Sequence, residues 1–173
     1  MQSDVKVPVH PVRAEQLMIL AEKWRCSSTE AIERLIRERI SSGDLPDSTP
    51  GLEVAAFGNL VAFKIDFDRT PPMSWEQAMK IGRALDRLAS GGMNGFKCAY
   101  SEDTSIVFAR KTDSFTVTFS SPGDEKKKDV TATIIEDLAR QFRTAALTAK
   151  ANKNGNSSDA AYAKTDRVTA LHA

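Results

Sequence analysis

The sequence predicts an α+β protein in two parts: a β-α-α segment at the amino end that closes its core only as a dimer, and a mixed α+β domain of element order ββαβββα. Three observations predict this. Val5, Val7 and Val9 alternate with Lys6, Pro8 and His10, the period-two pattern of a strand with one apolar face. Two stretches follow in which apolar residues recur at helical intervals. Beyond residue 52 the chain alternates runs rich in β-branched and aromatic residues with two longer helical patterns, a mixture that requires a sheet covered by helices.

The elements follow in order. Leu17, Leu20, Ala21 and Trp24 occupy i, i+3, i+4 and i+7 of a first helix, which breaks at Arg25-Cys26. Ser27 or Ser28 offers an N-cap, and Ala31, Ile32, Leu35, Ile36 and Ile40 form the stripe of a second helix. Ser41 to Gly51 reads SSGDLPDSTPG, almost wholly turn residues. The expected divisions are therefore 1–43, a linker at 44–52, a second domain at 53–151 and a flexible tail at 152–173.

In the second domain, LEVAAF and LVAFKIDF flank Gly58-Asn59, the composition of a tight hairpin. Ser74 and Gln77 have capping-box spacing at the head of a helix carrying Trp75, Ala78, Ile81, Leu85 and Leu88 on one side. Three strands are expected from GFKCAY, SIVFARK and SFTVTFS. SPGDEKKKD then reads as a solvated loop before a last helix, whose stripe is Val130, Ile134, Leu138, Phe142 and Leu147.

Composition excludes several classes. The 24 Lys+Arg against 23 Asp+Glu leave a formal charge of +1, so nucleic-acid binding requires a local arrangement of charge rather than a bulk one. No stretch approaches the roughly 20 apolar residues of a membrane span, and Asp4 and Pro8 interrupt any signal-peptide pattern. A cytoplasmic protein without membrane partners is expected. Cys26 and Cys98 lack a CxxC partner and are expected to be buried thiols. His10 and His172 are the only histidines, and residues 51–150 have none. Neither a hydrolytic triad nor a His-rich metal site can be assembled, so the chain is expected to be no enzyme and to hold no cofactor or metal. Asp66 and Asp68 alternate on one strand and suggest either a cation site or a solvated strand end.

The strand VKVPV, the helix ending LAEKW and the S-S-T-x-A-I-x-x-L-I pattern from Ser27 together resemble the ribbon-helix-helix family of DNA-binding proteins, the Arc/MetJ/CopG-like repressors and plasmid accessory factors. The resemblance covers about residues 4–42. It implies a homodimer whose paired strands enter the major groove of double-stranded DNA. On that reading Lys6, Pro8 and His10 lie on the free strand face, while Ser27, Ser28 and Thr29 present a helix start to a phosphate, assisted by Lys23 and Arg25. The implied function is sequence-specific DNA binding, as a transcriptional repressor or a plasmid or mobile-element factor.

Two features depart from the family's habit. Pro8 cannot hydrogen-bond a base and removes a ladder donor. Lys6, Arg13, Lys23, Arg25, Arg34, Arg37 and Arg39 face Asp4, Glu15, Glu22, Glu30, Glu33, Glu38 and Asp44, seven charges of each sign in residues 1–45. The alternative is an assembly protein in which residues 4–42 only dimerise and residues 53–151 hold a protein partner. Otherwise residues 53–151 serve oligomerisation or effector binding.

Overall fold

The computed structural model describes residues 7–66 and 68–165, the side chains of 155–165 excepted. The chain divides into two compact units, Met1–Asp47 and Ser48–Ala173.

The amino-terminal unit is a pair of helices, α1 (Pro11–Trp24) and α2 (Ser28–Ser41). Pro11 stands at the first helical position, where its missing N–H costs nothing, and the His10 side chain accepts a hydrogen bond from the Val12 N–H at 3.4 Å. At the other end Arg25 adopts the left-handed conformation, φ 54°. This lets Cys26 N donate to Ala21 O and Arg25 N to Glu22 O, both at 3.0 Å, a Schellman closure. The Arg34 guanidinium lies 4.4 Å from the centre of the Trp24 ring and ties α2 to α1. Residues 7–9 form no strand, and Val5 and Lys6 lie outside the described residues. A strand is stable only beside a partner backbone, and the described residues of this unit contain no second extended segment, so the alternation of valines is not enough within a single chain.

The carboxyl-terminal unit starts with β1 (Leu52–Phe57) and β2 (Leu60–Ile65), paired antiparallel around Gly58-Asn59. Two short strands, β3 (Asp68–Arg69) and β4 (Met73–Ser74), also pair with β2. Then α3 (Trp75–Ala89) begins at the expected capping box: Ser74 Oγ accepts from Gln77 N, and Gln77 Oε1 accepts from Ser74 N. A second antiparallel sheet follows in the order β5 (Gly95–Ala99), β6 (Ser105–Arg110), β7 (Phe115–Ser121), β8 (Asp124–Val130). The last element is α4 (Ala132–Thr165).

Between α3 and α4 there are therefore four strands where the sequence suggests three, and the order is ββββαββββα. Asp124–Asp129 of the segment read as a loop, together with Val130, which was expected in the last helix, form β8. Its charged composition suits an edge, where lysines discourage further strand addition, and Pro122-Gly123 makes the turn that pairs Ser121 with Asp124. The last helix also runs past residue 151 to Thr165. Once the packed portion has formed, each further turn adds hydrogen bonds without a new nucleus. A further weak helix suggested near Asp166–Leu171 lies outside the described residues.

The core is shared by both sheets and both helices. Phe63 packs against Phe108 and Phe142, with ring centres 6.4 and 5.3 Å apart. The buried face of α4 is Ile135, Leu138, Ala139, Phe142, Ala145, Ala146 and Ala149, whereas Leu147 is 58 % exposed. The expected stripe failed at its last member because Leu147 stands five residues after Phe142, well round the helix from it, so Leu138 and Phe142 belong to the core while Leu147 does not. Small residues on this face allow close approach to α3: a Cβ at Gly82 would lie 3.0 Å from Ala139 O. Gln141 Nε2 donates to Thr49 Oγ1 at 3.1 Å, and Arg143 pairs with Asp86. At the end of α3, Arg110 donates to Leu88 O at 2.6 Å and to Ala89 O at 3.0 Å, closing the helix with a cation.

Candidate nucleic-acid interface

The turn between α1 and α2 gathers five of the eight residues expected to contact DNA, the five expected at a phosphate. Lys23 is exposed in the last turn of α1 and Arg25 is the exposed left-handed cap. Ser27 is the N-cap of α2, Ser28 is half-buried and Thr29 is exposed. The backbone N–H groups of Ser28 and Thr29 meet no acceptor among the described residues, as is normal for the first turn of a helix. They are the donors an anion would use.

Glu30 was missed in the sequence, although the S-x-x-E spacing was there to be read. Its carboxylate accepts from Ser27 N at 2.7 Å and from Ser27 Oγ at 2.8 Å, while Glu30 N donates back to Ser27 Oγ at 3.2 Å. The Ser27 backbone N–H, and then its hydroxyl, hold the Glu30 carboxyl below its ordinary range. A negative charge therefore already stands at the helix start and competes with any phosphate brought there.

Pro8 and His10 are exposed and lie at the opposite end of α1. The 14 residues of α1 put about 20 Å between the two sets within one chain. With His10 Nδ1 accepting from Val12 N, Nε2 is the ring nitrogen left to donate. Lys6 lies outside the described residues.

The lysine run and the paired aspartates, read separately in the sequence, come together in the other unit. Lys128 Nζ lies 2.6 Å from Asp66 Oδ1, and Lys126 Nζ lies 3.6 Å from Asp68 and 3.3 Å from Asp124. Of the two expectations for Asp66 and Asp68, the solvated strand end describes them: both side chains stay open to solvent, Asp66 just past the end of β2, and lysines supply the counter-charge. Cys26 and Cys98 are half-buried rather than buried, and desolvation raises the Cys98 thiol, keeping it neutral. Trp75, expected in the core, is half-buried, with Lys150 Nζ 4.8 Å from its ring centre. Among the described residues no helix is long and apolar enough to cross a membrane.

No protein-family model, no curated protein and no solved structure matches this chain, so its residues and their geometry are the ground for any functional reading.

Proposed function

We propose that the protein is a homodimeric ribbon-helix-helix DNA-binding protein, a repressor or mobile-element accessory factor, that pairs through its amino-terminal unit. The observation that carries this reading is the apolar surface the unit leaves open. Among its described residues only Ala21 and Ala31 are buried, while Met18, Ile19, Ile32, Leu35 and Ile36 are exposed. Two helices of 14 residues cannot bury such stripes on each other, and a segment this short needs a partner to fold stably.

A second copy answers both deficits at once. It covers the helix stripes, and it offers the segment Val5–Val9 an antiparallel strand with which to pair. The resulting ribbon would carry Lys6, Pro8 and His10 outward, towards base edges in the major groove. The starts of the two α2 helices would flank it and clamp phosphates through Ser27, Ser28 and Thr29, with Lys23 and Arg25 alongside.

The same unit supports a second reading. Its balanced charge and the Glu30 carboxylate at the helix start weaken phosphate attraction, as an assembly protein without DNA contact would allow. The two readings separate in one experiment on the full chain. Sedimentation equilibrium should give a dimer, and selection from a random duplex pool should enrich a palindromic site whose affinity falls with salt and with Lys6→Ala. A dimer that enriches no sequence leaves the assembly reading, and a monomer at micromolar concentration overturns both.

A further inference from the structure

The second sheet is closed along one edge and open along the other. At β8, Lys126 and Lys128 fold over the core side and meet Asp68 and Asp66. At β5 the core-facing side chains Phe96, Cys98 and, just beyond the strand, Tyr100 are only half-buried, although Phe96 stacks on Phe108 with ring centres 5.0 Å apart. Between β5 and α3 lies a cleft of about 250 Å³.

Both walls follow from regular geometry. From α3 come Gln77, Lys80, Ile81 and Ala84, the positions i, i+3, i+4 and i+7 that share one helix face. From the sheet come Phe96, Cys98 and Tyr100, alternate residues that share one strand face. The body of the cleft is apolar, and the small side chains of Ala84 and Cys98 leave the room. Its volume lies just below the usual range for drug-sized ligands and suits a single ring or a short chain.

Two of the polar groups at its rim, Gln77 and Lys80, have hydrogens to donate. Gln77 Oε1 is already accepting from Ser74 N at 2.9 Å, which leaves the Gln77 amide N–H₂ to donate. Lys80 meets no carboxylate among the described residues and offers three donors. The Tyr100 hydroxyl gives its proton to Thr70 Oγ1 at 3.4 Å and so is not a donor to the cleft. Burial pushes Tyr100 up to about 12 and also raises Cys98, so neither supplies a negative charge.

We propose that this cleft binds a small carboxylate with an apolar body, an aryl or short alkyl carboxylate, whose charged end meets Lys80 and Gln77 and whose body lies between Ile81, Ala84 and Phe96. The site stands on its own side chains and does not depend on whether the amino-terminal unit binds DNA.

The test is a two-dimensional amide NMR titration of the full chain with sodium benzoate and sodium hexanoate, with benzyl alcohol and hexanol as uncharged analogues. Shifts are expected at residues 77–84 and 96–100, saturating with a millimolar or tighter Kd. Loss of the charged contact, by Lys80→Ala or by use of the alcohols, should weaken binding about tenfold. Ala84→Trp should fill the cleft and remove binding. No saturable shift at about 20 mM of either carboxylate, well above the range expected for so small a ligand, overturns the proposal. So do shifts confined to other residues of the wild-type chain, or equal binding of acids and alcohols.

Discussion

Lys128 Nζ and Asp66 Oδ1 lie 2.6 Å apart, and their contact joins the last strand of one sheet to the turn that ends the hairpin of the other. Asp66 holds a left-handed backbone, φ 54°, and its N–H donates to Gly51 O at 2.9 Å. Gly51 is itself at φ +76°, and a Cβ there would strike the Lys128 ammonium group. Lys128→Met should cost about 1 kcal/mol, the scale of a partly exposed ion pair. Gly51→Ala should cost about 1–2 kcal/mol through the left-handed backbone and the displaced lysine. Urea unfolding of the double variant should cost less than the sum, because shortening Lys128 frees space for the methyl group.

Replacing Glu30 tests what occupies the start of α2. In Glu30→Gln the amide oxygen still accepts from Ser27 N, so the cap survives while the negative charge is lost. On the DNA-binding reading, affinity for a selected duplex should rise about twofold to fivefold, the size of one charge near a helix terminus. Fluorescence anisotropy at fixed salt reads this directly. Unchanged affinity would remove the helix start from the phosphate contacts.

At the end of α1, Arg25 adopts a conformation better suited to glycine. Arg25→Gly should stabilise the Schellman turn by about 0.5–1 kcal/mol. Amide exchange at residues 25 and 26 should slow correspondingly. Faster exchange there would mean that the arginine side chain contributes more than its backbone strain costs.

Asp129 carries an acid-sensitive contact. Its Oδ1 accepts from Lys111 Nζ at 2.7 Å and from the Thr116 hydroxyl at 2.8 Å. The Lys111 bond first, then Thr116, hold the carboxyl below its ordinary value. A depressed folded-state pKa adds stability above the unfolded value and loses it as pH falls through the folded one. The loss should therefore begin below about pH 4. Asp129→Asn should flatten the stability profile over that range in urea titrations, leaving the slope at neutral pH unchanged.

Most of the second unit was legible from local chemistry. Gly58-Asn59 marked its hairpin, and Ser74 with Gln77 marked the start of α3. β8 was not legible, because Lys126, Lys127 and Lys128 resemble a loop until one knows that Asp66 and Asp68 will stand opposite. Edge strands take their composition from what lies beside them, and that is long-range information. The α4 stripe was misread for a related reason: Ala139, Ala145, Ala146 and Ala149 are buried by the proximity of α3 rather than by their own hydrophobicity. The cleft was invisible for the same cause, since Gln77 and Lys80 gain a shared role only when β5 arrives alongside.

The span of α4's contacts orders events during synthesis. Thr49 meets Gln141 across 92 residues, and Asn152 Nδ2 reaches Gly58 O across 94. The hairpin β1–β2 leaves the ribosome early, yet Phe63 has no Phe142 to pack against until the last helix has been made. Contacts so distant in sequence form late, and domains with unfinished cores are the ones that engage chaperones and proteases. A chain halted at residue 131 should keep the local pairing of β5 to β8 and leave Leu52, Val61 and Phe63 uncovered. Completion of the carboxyl-terminal unit thus waits on the synthesis of α4.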